Sequence, residues 1–317
     1  MPLSEFEIIA RYFSGDRFAV ADREDISVPI GDDAAVITPE AGKELVVAVD
    51  TLIEGVHSPS VMCPYDIGYR ALAVNLSDLA AMGARPRWFT LALTMPEVRA
   101  EWLDGFSTGL AELAQQSRCA LVGGDTTRGP LTISVQVSGE VPSGEALLRT
   151  GACAGDVLFV SGYPGTAALG LQHMLAGNID SQAARTFLRP TPRLQLGQGL
   201  RRLASAAIDV SDGLLADLGH IVSGSGVGAE LDCSLLPDIS TLGTMTEAEV
   251  QALQLTGGDD YELCFSVPAA KVREVTDLAE ACATPCHQIG HIKAGSGVSL
   301  QGTEIAAAPE ATGYKHF

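Results

Sequence analysis

Basic and aromatic side chains are both scarce in this sequence. It has 20 Lys and Arg residues against 39 Asp and Glu residues, for a formal net charge of −19, and 5% of its residues are aromatic. The shortage of positive charge argues against nucleic-acid binding, which needs a basic face, and against docking on anionic lipid. The shortage of rings means that Ala, Leu and Val must fill the core.

Several familiar sequence signals are also missing. No apolar run reaches the length of a membrane span, and the N-terminal stretch lacks the basic and apolar segments of a signal peptide. The chain has no G-x-x-x-x-G-K-[ST] loop and no protein-kinase signature set. These absences exclude the P-loop and the protein-kinase fold as ways of holding a nucleotide.

Seven cysteines are scattered along the chain, several of them within apolar runs. An odd number of scattered cysteines is typical of buried free thiols in a reducing cytoplasm. Cys282-x3-Cys286-His287 looks like half of a zinc site. No second Cys/His pair follows at zinc spacing, so we expect no metal there.

The length of 317 residues suits two domains. Turn-rich stretches at 141–144 and 151–155 bracket the junction, and we place the domains at 1–142 and 143–317. Strands and helices mix without a strict βαβ alternation. The sequence therefore predicts an α/β fold with α+β character.

Local patterns predict individual elements. The apolar spacing from 66 to 82 predicts a helix that Gly83 ends, and the alternation from 131 to 137 predicts a strand with two different faces. We expect one strand to end at Asp50 and another to end before the turn Gly123-Gly124-Asp125. Ser211 is expected to cap a helix over 212–222.

Aspartate recurs where an apolar run meets a glycine or a helix. Carboxylates that converge on one cleft raise each other's pKa unless a cation neutralises them, and Mg²⁺ prefers a few carboxylates together with substrate phosphates. The pattern therefore indicates a metal-assisted enzyme of phosphate chemistry, built from acid rather than from a lysine loop. The six residues are Asp33, Asp50, Asp78, Asp125, Asp209 and Asp212.

Each acidic motif also has a purely structural interpretation. Gly31-Asp32-Asp33 fits a type I turn, and Asp209 to Asp212 fits a helix cap. The stretch Gly162-x-x-Gly165 before a helix is a weak candidate for a phosphate loop, and Gly257-Gly258-Asp259-Asp260 fits an acidic hairpin entry. The functional interpretation rests on the set of motifs rather than on any one of them.

Several segments follow one another in a diagnostic order. They are Gly31-Asp32-Asp33-Ala34, Asp50-Thr51-Leu52, Asn75 to Ala84, Gly123 to Pro130, Asp209-Val210-Ser211-Asp212-Gly213-Leu214, Gly257 to Leu263 and Gly313-Tyr314-x-His316-Phe317. Together they resemble the thiamine-monophosphate kinase family of the aminoimidazole-ribonucleotide-synthetase-like superfamily. The resemblance spans nearly the whole chain, and its 75–84 block and tyrosine tail are specific to that family.

The resemblance implies an N-terminal ATP-binding domain that dimerises through a mixed sheet, a C-terminal α/β domain, and an active site between them. The implied reaction is the phosphorylation of thiamine monophosphate by ATP to give thiamine diphosphate. The transfer would be direct and in line, with several Mg²⁺ ions, and neither a nucleic acid nor a membrane would be a partner. The implied enzyme is a cytoplasmic homodimer.

The resemblance also assigns roles by position. The six aspartates would hold Mg²⁺, and the catalytic residues would be Asp50, Asp125 and Arg149. ATP would contact Gly124, Asp125, Arg149 and Ser211. Thiamine monophosphate would contact His57, Asp259 and Tyr314.

Two positions depart from the family's pattern. Ala48-Val49 stands where the family has Ser/Thr-Thr, which removes hydroxyl ligands before Asp50. Asp259 stands where the family has Glu, so this carboxylate reaches one methylene less far.

Two kinds of alternative remain open from the sequence. One is another superfamily enzyme: an amidine cyclase, a selenophosphate synthase, which needs a reactive N-terminal Cys or Sec, or a hydrogenase-maturation protein, which ends in a functional cysteine. Here the first cysteine is Cys63 and the chain ends in Phe317. The other alternative is a non-catalytic sensor of nucleotide or metal, which would bind ATP–Mg²⁺ without consuming it.

Overall fold

The chain divides into two compact units in the computed structural model, which describes residues 4–15, 17–18, 20 and 23–303. Unit 1 consists of Met1–Leu79 and Ala84–Gly144, and unit 2 of Ala80–Gly83 and Glu145–Phe317. Both units combine helices with a sheet, which confirms the predicted α/β class with α+β character. Among the described residues, no helix is long and apolar enough to cross a membrane.

Unit 1 is built from three α-helices, one π-helical turn and six strands among its described residues. They are α1 (Glu5–Ile8), the π-helix (Ile9–Phe13), β1 (Ile26–Val28), β2 (Val36–Ile37), β3 (Lys43–Ile53), α2 (Pro64–Ala81), β4 (Arg85–Met95), α3 (Ala100–Ser117), β5 (Ala120–Arg128) and β6 (Thr132–Pro142). The predicted helix over 66–82 is confirmed as α2. Gly83, with a φ of +66°, follows its end as expected.

The main sheet of unit 1 has the order β3-β6-β4-β5 and is mixed, because β4 and β5 are parallel and the other pairs are antiparallel. The predicted alternation along β6 is confirmed. Ile133, Val135 and Val137 are buried, whereas Ser134 and Gln136 between them are half-buried. One face of the sheet therefore belongs to the core and the other is more open to solvent.

Two strands run further than the sequence pattern predicted. Asp50 lies inside β3 rather than at its end, because the antiparallel pairing with β6 continues to Ile53. Asp125 likewise lies inside β5 rather than at a turn, because β5 stays paired with β4 as far as Arg128. Hydrogen bonding to a neighbouring strand is a non-local effect, and it overrides the turn preference of a local glycine-acid motif.

Unit 2 holds a six-stranded sheet and six α-helices among its described residues. They are β7 (Val157–Ser161), α4 (Thr166–Leu175), α5 (Gln182–Leu188), α6 (Leu194–Leu200), β8 (Ala206–Val210), α7 (Leu214–Ser225), β9 (Gly228–Asp232), α8 (Glu247–Thr256), β10 (Glu262–Val267), α9 (Val272–Ala281), β11 (Cys286–Lys293) and β12 (Gly297–Gln301). The strand order is β12-β9-β11-β7-β10-β8.

The sheet of unit 2 is covered on both faces. Along β7, Leu158 and Val160 join a core cluster that includes Leu218 of α7. Phe159 between them joins a second cluster with Leu200 of α6. Burial on both faces explains why β7, β8 and β10 consist almost wholly of buried residues.

A partly buried ion cluster around Asp25 links the segment before β1 to β4. The Asp25 carboxylate accepts from Arg23 at 2.7 Å and from the Trp88 indole at 2.7 Å, and it lies 3.1 Å from Arg87. The Arg23 hydrogen bond, supported by the charges of both arginines, lowers the pKa of Asp25 well below its usual range. The folded state therefore depends on the ionised form of this carboxyl group.

We expect Asp25→Asn to lower the free energy of unfolding by about 2 kcal/mol at neutral pH, because Arg23 loses its carboxylate partner and Arg87 keeps only Glu140, at 3.4 Å. The folded-state pKa is depressed, so this contribution is complete above about pH 5 and fades as the pH falls below about 4. Urea denaturation of both proteins across that pH range measures the difference.

Asp104→Asn is the matched control, since Asp104 pairs with Arg17 at 2.9 Å on the exposed face of α3. It should change the unfolding free energy by less than about 0.5 kcal/mol. A difference between wild type and Asp25→Asn that does not shrink in acid would contradict the ionic account.

Candidate active site

A cavity of about 370 Å³ in unit 1 brings two of the predicted aspartates together. Phe6, Ile9 and Phe13, from α1 and the π-helix, form its apolar wall, and Asp33 and Asp125 lie on its acidic wall. The loop that carries Asp33 is folded locally, because the Asp33 N–H donates to the Asp32 carboxylate at 2.8 Å. The cavity therefore offers two oxygen ligands beside an apolar surface.

Gly124, on the cavity wall, is a glycine for a structural reason. Its φ is +156°, and a Cβ on it would lie 1.9 Å from the Leu91 carbonyl oxygen of β4. The parallel pairing of β4 with β5 shifts register just before this point, between Phe89 and Thr90. The neighbouring strand, rather than a ligand, thus accounts for the need for glycine here.

Asp50 lies beside α2, away from that cavity. Its main-chain N–H donates to the Asn75 side chain at 2.9 Å, and Asn75 in turn donates to the Ala71 carbonyl. Asp78 is one turn further along α2 than Asn75 and is half-buried. Burial raises the pKa of Asp50. Asp50 and Asp78 are therefore associated through α2, and neither is part of the cavity wall that carries Asp33 and Asp125.

His57 follows β3 in a tight turn. The Ile53 N–H donates to its Nδ1 at 3.2 Å, so the neutral ring carries its proton on Nε2. The side chain is half-buried. This arrangement fixes the ring and makes Nε2–H a hydrogen-bond donor.

The first acidic loop of unit 2 follows β8. Asp209 lies near the end of β8, where it is buried and pairs with Leu263 of β10. Asp212 lies in the loop and is half-buried. Ser211 is not the helix cap that the sequence predicted. Helix α7 begins at Leu214, and the Asp217 carboxylate accepts the N–H groups of the loop instead.

The second acidic loop lies against the first. The Asp259 N–H donates to the Ser211 carbonyl and the Tyr261 N–H donates to the Val210 carbonyl, both at 2.8 Å. Asp259 and Tyr261 have φ values of +70° and +52°, and the Tyr261 hydroxyl donates to the Asp259 carboxylate at 3.0 Å. Asp tolerates this left-handed conformation better than most residues, which gives a reason for Asp at position 259.

The Asp260 side chain binds the main chain of the Gly162-x-x-Gly165 turn, which the sequence offered as a weak candidate for a phosphate loop. Its carboxylate accepts the Gly165 N–H at 2.6 Å and the Ala167 N–H at 2.9 Å, at the start of α4. Burial raises the pKa of Asp260 well above its usual value. Because a carboxylate of the chain itself takes these donors, the Gly162-x-x-Gly165 turn is not a phosphate loop.

Two predicted site residues remain, Arg149 and Tyr314. Arg149 is exposed between β6 and β7. Tyr314 lies outside the described residues, so its role stays a prediction. Among the described residues, no group of three or more His, Cys, Asp or Glu side chains is arranged to hold a metal ion, Cys282, Cys286 and His287 included.

Sequence reasoning missed the role of the two buried carboxylates that organise these loops. It assigned no role to Asp217, and it treated Asp260 only as part of an acidic hairpin entry. The signal for Asp217 is weak, because an acid in the first turn of a helix is common. Only the fold shows that its target is the preceding loop.

The comparisons with known proteins agree with this architecture. Residues 31–141 match the family described as AIR synthase related protein, N-terminal domain, and residues 153–303 match its C-terminal domain. The thiamine-monophosphate kinase of Salmonella typhimurium is 44% identical, over 100% of this chain and 99% of that protein. That of Bacillus subtilis is 36% identical, over 92% and 94%.

Solved structures show the same relationship. A thiamine-monophosphate kinase from Stenotrophomonas maltophilia superposes with a TM-score of 0.85 at 46% identity, covering 89% of this chain and 92% of that one. AaThiL in complex with AMPPCP and TMP superposes with a TM-score of 0.77 at 30% identity, covering 92% and 93%. The Escherichia coli hydrogenase maturation protein HypE, at 21% identity and a TM-score of 0.68, shares the fold.

Two AIR-synthase-related domains in tandem define the class of the protein, a two-domain α/β enzyme of that superfamily. Within it, the chain belongs to the thiamine-monophosphate kinase family, and it is a kinase.

We expect Gly124→Ala to lower the free energy of unfolding by about 3 kcal/mol, because its Cβ would meet β4 in a backbone conformation that alanine avoids. Gly123→Ala is the matched control, since its Cβ would meet only the Thr90 methyl group at 3.8 Å. It should cost less than about 1 kcal/mol. Urea denaturation of both variants gives the comparison, and equal losses would contradict the strand-packing account.

Proposed function

We propose that the chain transfers the γ-phosphoryl group of ATP to the phosphate of thiamine monophosphate, giving ADP and thiamine diphosphate. Full-length similarity to thiamine-monophosphate kinases carries this proposal. The AaThiL complex supports it, because its ligands are an ATP analogue and TMP. A thiamine-monophosphate oxygen attacks the γ-phosphorus, and the bond from that phosphorus to the bridging oxygen of ADP breaks.

The donor set of the site fits Mg²⁺. The side chains are carboxylates, which are the hard oxygen ligands that this ion prefers. Asp33 and Asp125 share a cavity wall in unit 1. In unit 2, Asp209 lies near the end of β8 and Asp212 lies in the loop after it, whose N–H groups donate to Asp217. We propose that these four, with Asp50 and Asp78, hold several Mg²⁺ ions. When bound, Mg²⁺ reduces the repulsion between the two polyanionic substrates and aligns them.

The chain does not need a strong general base for this reaction. The second pKa of a phosphate monoester is about 6, so the attacking group is already mostly dianionic at neutral pH. The protein's task is to position two anions in line and to screen their charge. A direct transfer without a phosphoenzyme follows from this chemistry.

Ser211 would contact ATP through its hydroxyl group. Its main-chain N–H already donates to Asp217 and its carbonyl already accepts from Asp259. Arg149 is exposed on the segment before β7, and we assign it to the ATP phosphates, which a guanidinium binds in a bidentate manner. Gly124 and Asp125 would meet the nucleotide at the cavity of unit 1.

Thiamine monophosphate would be held by donors and acids at opposite ends of the molecule. His57 offers Nε2–H to the phosphate, because its Nδ1 accepts from Ile53. Asp259, whose carboxylate is oriented by Tyr261, would face the cationic thiazolium ring. Tyr314 is assigned to the same ring on the resemblance alone, by a cation–π contact.

We also propose that the enzyme is a homodimer and that residues 1–142 supply both the ATP site and the dimer interface, with 143–317 completing the active site. The support is an apolar stripe on the edge strand β3. Leu45, Val47 and Val49 alternate along it and are 50%, 61% and 63% exposed. A second copy that packs on this stripe would remove it from water.

The seven cysteines are all free thiols in the structure. Free thiols persist in a reducing compartment. We therefore propose that the enzyme acts in the cytoplasm.

The reaction is tested by following ADP and thiamine diphosphate with and without thiamine monophosphate. We expect equal amounts of the two products, formed only when both substrates and Mg²⁺ are present. Asp125→Asn and Asp50→Asn should each lower kcat on the order of 10²-fold or more, because each removes a carboxylate that would hold Mg²⁺ beside the transferring group. Asp104→Asn, a surface carboxylate of the same unit, should leave kcat unchanged.

Near-normal turnover in either site variant would overturn the ligand assignment. ADP release without thiamine diphosphate would instead move the activity to a superfamily relative. ATP binding without consumption, in the presence of thiamine monophosphate, would indicate a sensor.

The dimer is tested by Val47→Lys, which places a charge on the apolar stripe. We expect this variant to be a folded monomer in light scattering, whereas the unaltered chain is a dimer. Val61→Lys is the matched control, because Val61 is 63% exposed outside the sheet. A dimeric Val47→Lys, or a monomeric wild-type chain, would contradict the proposed interface.

A further inference from the structure

Asp217 makes an unusual set of hydrogen bonds for a residue that no sequence motif singles out. A single oxygen, Oδ2, accepts the main-chain N–H groups of Ser211, Asp212 and Gly213 at 3.0, 3.1 and 3.1 Å. The side chain is 3% exposed. One buried carboxylate therefore fixes three consecutive peptide groups of the loop between β8 and α7.

Three consecutive N–H groups at the start of a helix are otherwise a site for an anion such as phosphate. Here the acceptor is a carboxyl oxygen of the chain itself. The loop consequently has no main-chain donors left for a phosphate, and the acids beside it are the buried Asp209 near the end of β8 and the half-buried Asp212. A loop of this kind suits a cation.

We propose that Asp217 is a positioning residue that holds the Asp209–Asp212 loop in its cation-binding conformation. The inference rests on the proposed function, in which Asp209 and Asp212 hold Mg²⁺. Asp217 acts by accepting hydrogen bonds and is not itself a ligand. The loop is also supported from its other side, where the Ser211 carbonyl accepts the Asp259 N–H at 2.8 Å.

The fixed loop lowers the cost of metal binding. A free loop after β8 would lose backbone entropy when its carboxylate closes on an ion. Hydrogen bonds from the loop N–H groups to Asp217 order the loop during folding, before any ion arrives. Groups that orient metal ligands in this way typically change metal affinity by about 10–100-fold when they are removed.

The test compares Asp217→Ala with Asp217→Asn and follows Mn²⁺ binding by electron paramagnetic resonance, without turnover. Asp212→Asn defines which part of the binding curve belongs to this loop. We expect Asp217→Ala to weaken that same part at least about tenfold. Asp217→Asn should stay within about threefold of the unaltered chain, because its amide oxygen can still accept the three N–H groups.

A matched control separates positioning from general stability. Asp156 is also a buried carboxylate of unit 2, and it accepts the Cys153 N–H at 2.9 Å. Asp156→Ala should lower the melting temperature and leave Mn²⁺ binding unchanged. If Asp217→Ala does not fold, Asp217→Glu takes its place, since it keeps the charge but moves the oxygen away from the three donors.

Each outcome decides the matter. Unchanged Mn²⁺ binding in the folded Asp217→Ala or Asp217→Glu variant overturns the positioning role. An Asp217→Asn variant as weak as Asp217→Ala also overturns it, because the charge would then matter and Asp217 would be a ligand. Absence of this Mn²⁺ site in the unaltered chain removes the metal assignment itself. Failure of the kinase proposal shows separately, as no thiamine diphosphate formed by the unaltered chain.

Discussion

The need to satisfy buried main-chain N–H groups governs the acidic loops of unit 2. Asp217 accepts three such groups from the loop after β8, and Asp260 accepts two at the start of α4. Each carboxylate takes the place that water or an external anion would otherwise fill. These bonds decide which of the neighbouring acids remain available to a ligand.

The aspartates therefore fall into two groups, those that bond to the protein itself and those that line a cavity. Asp25, Asp217 and Asp260 bond to groups of the protein itself and determine its conformation. Asp33 and Asp125 instead line a cavity and are exposed to solvent. The absence of a P-loop is consistent with the proposed mechanism, in which positive charge would come with the substrates rather than from a lysine of the chain.

Much of the fold was predictable because local patterns agree with the tertiary structure. Helix α2 and the alternating strand β6 have strong apolar periodicity, and both were confirmed. The predicted positions of Asp50 and Asp125 at strand ends were wrong, because strand pairing extends β3 and β5 past the local turn signals. The reason for Gly124 was also beyond the sequence, since the atom that excludes a side chain belongs to β4, more than thirty residues earlier. The role of Asp217 could not be predicted either. Its three donors are main-chain N–H groups, which converge on one oxygen only when the loop has folded.

In the proposed mechanism, the six aspartates bind several cations together with the substrates. The most direct measurement is the number of Mn²⁺ ions bound per chain in the presence of a nonhydrolysable ATP analogue and thiamine monophosphate, by electron paramagnetic resonance titration. We predict at least two ions, which is more than the nucleotide carries by itself. One ion or none would contradict the claim, because the six carboxylates would then have no cations to neutralise them.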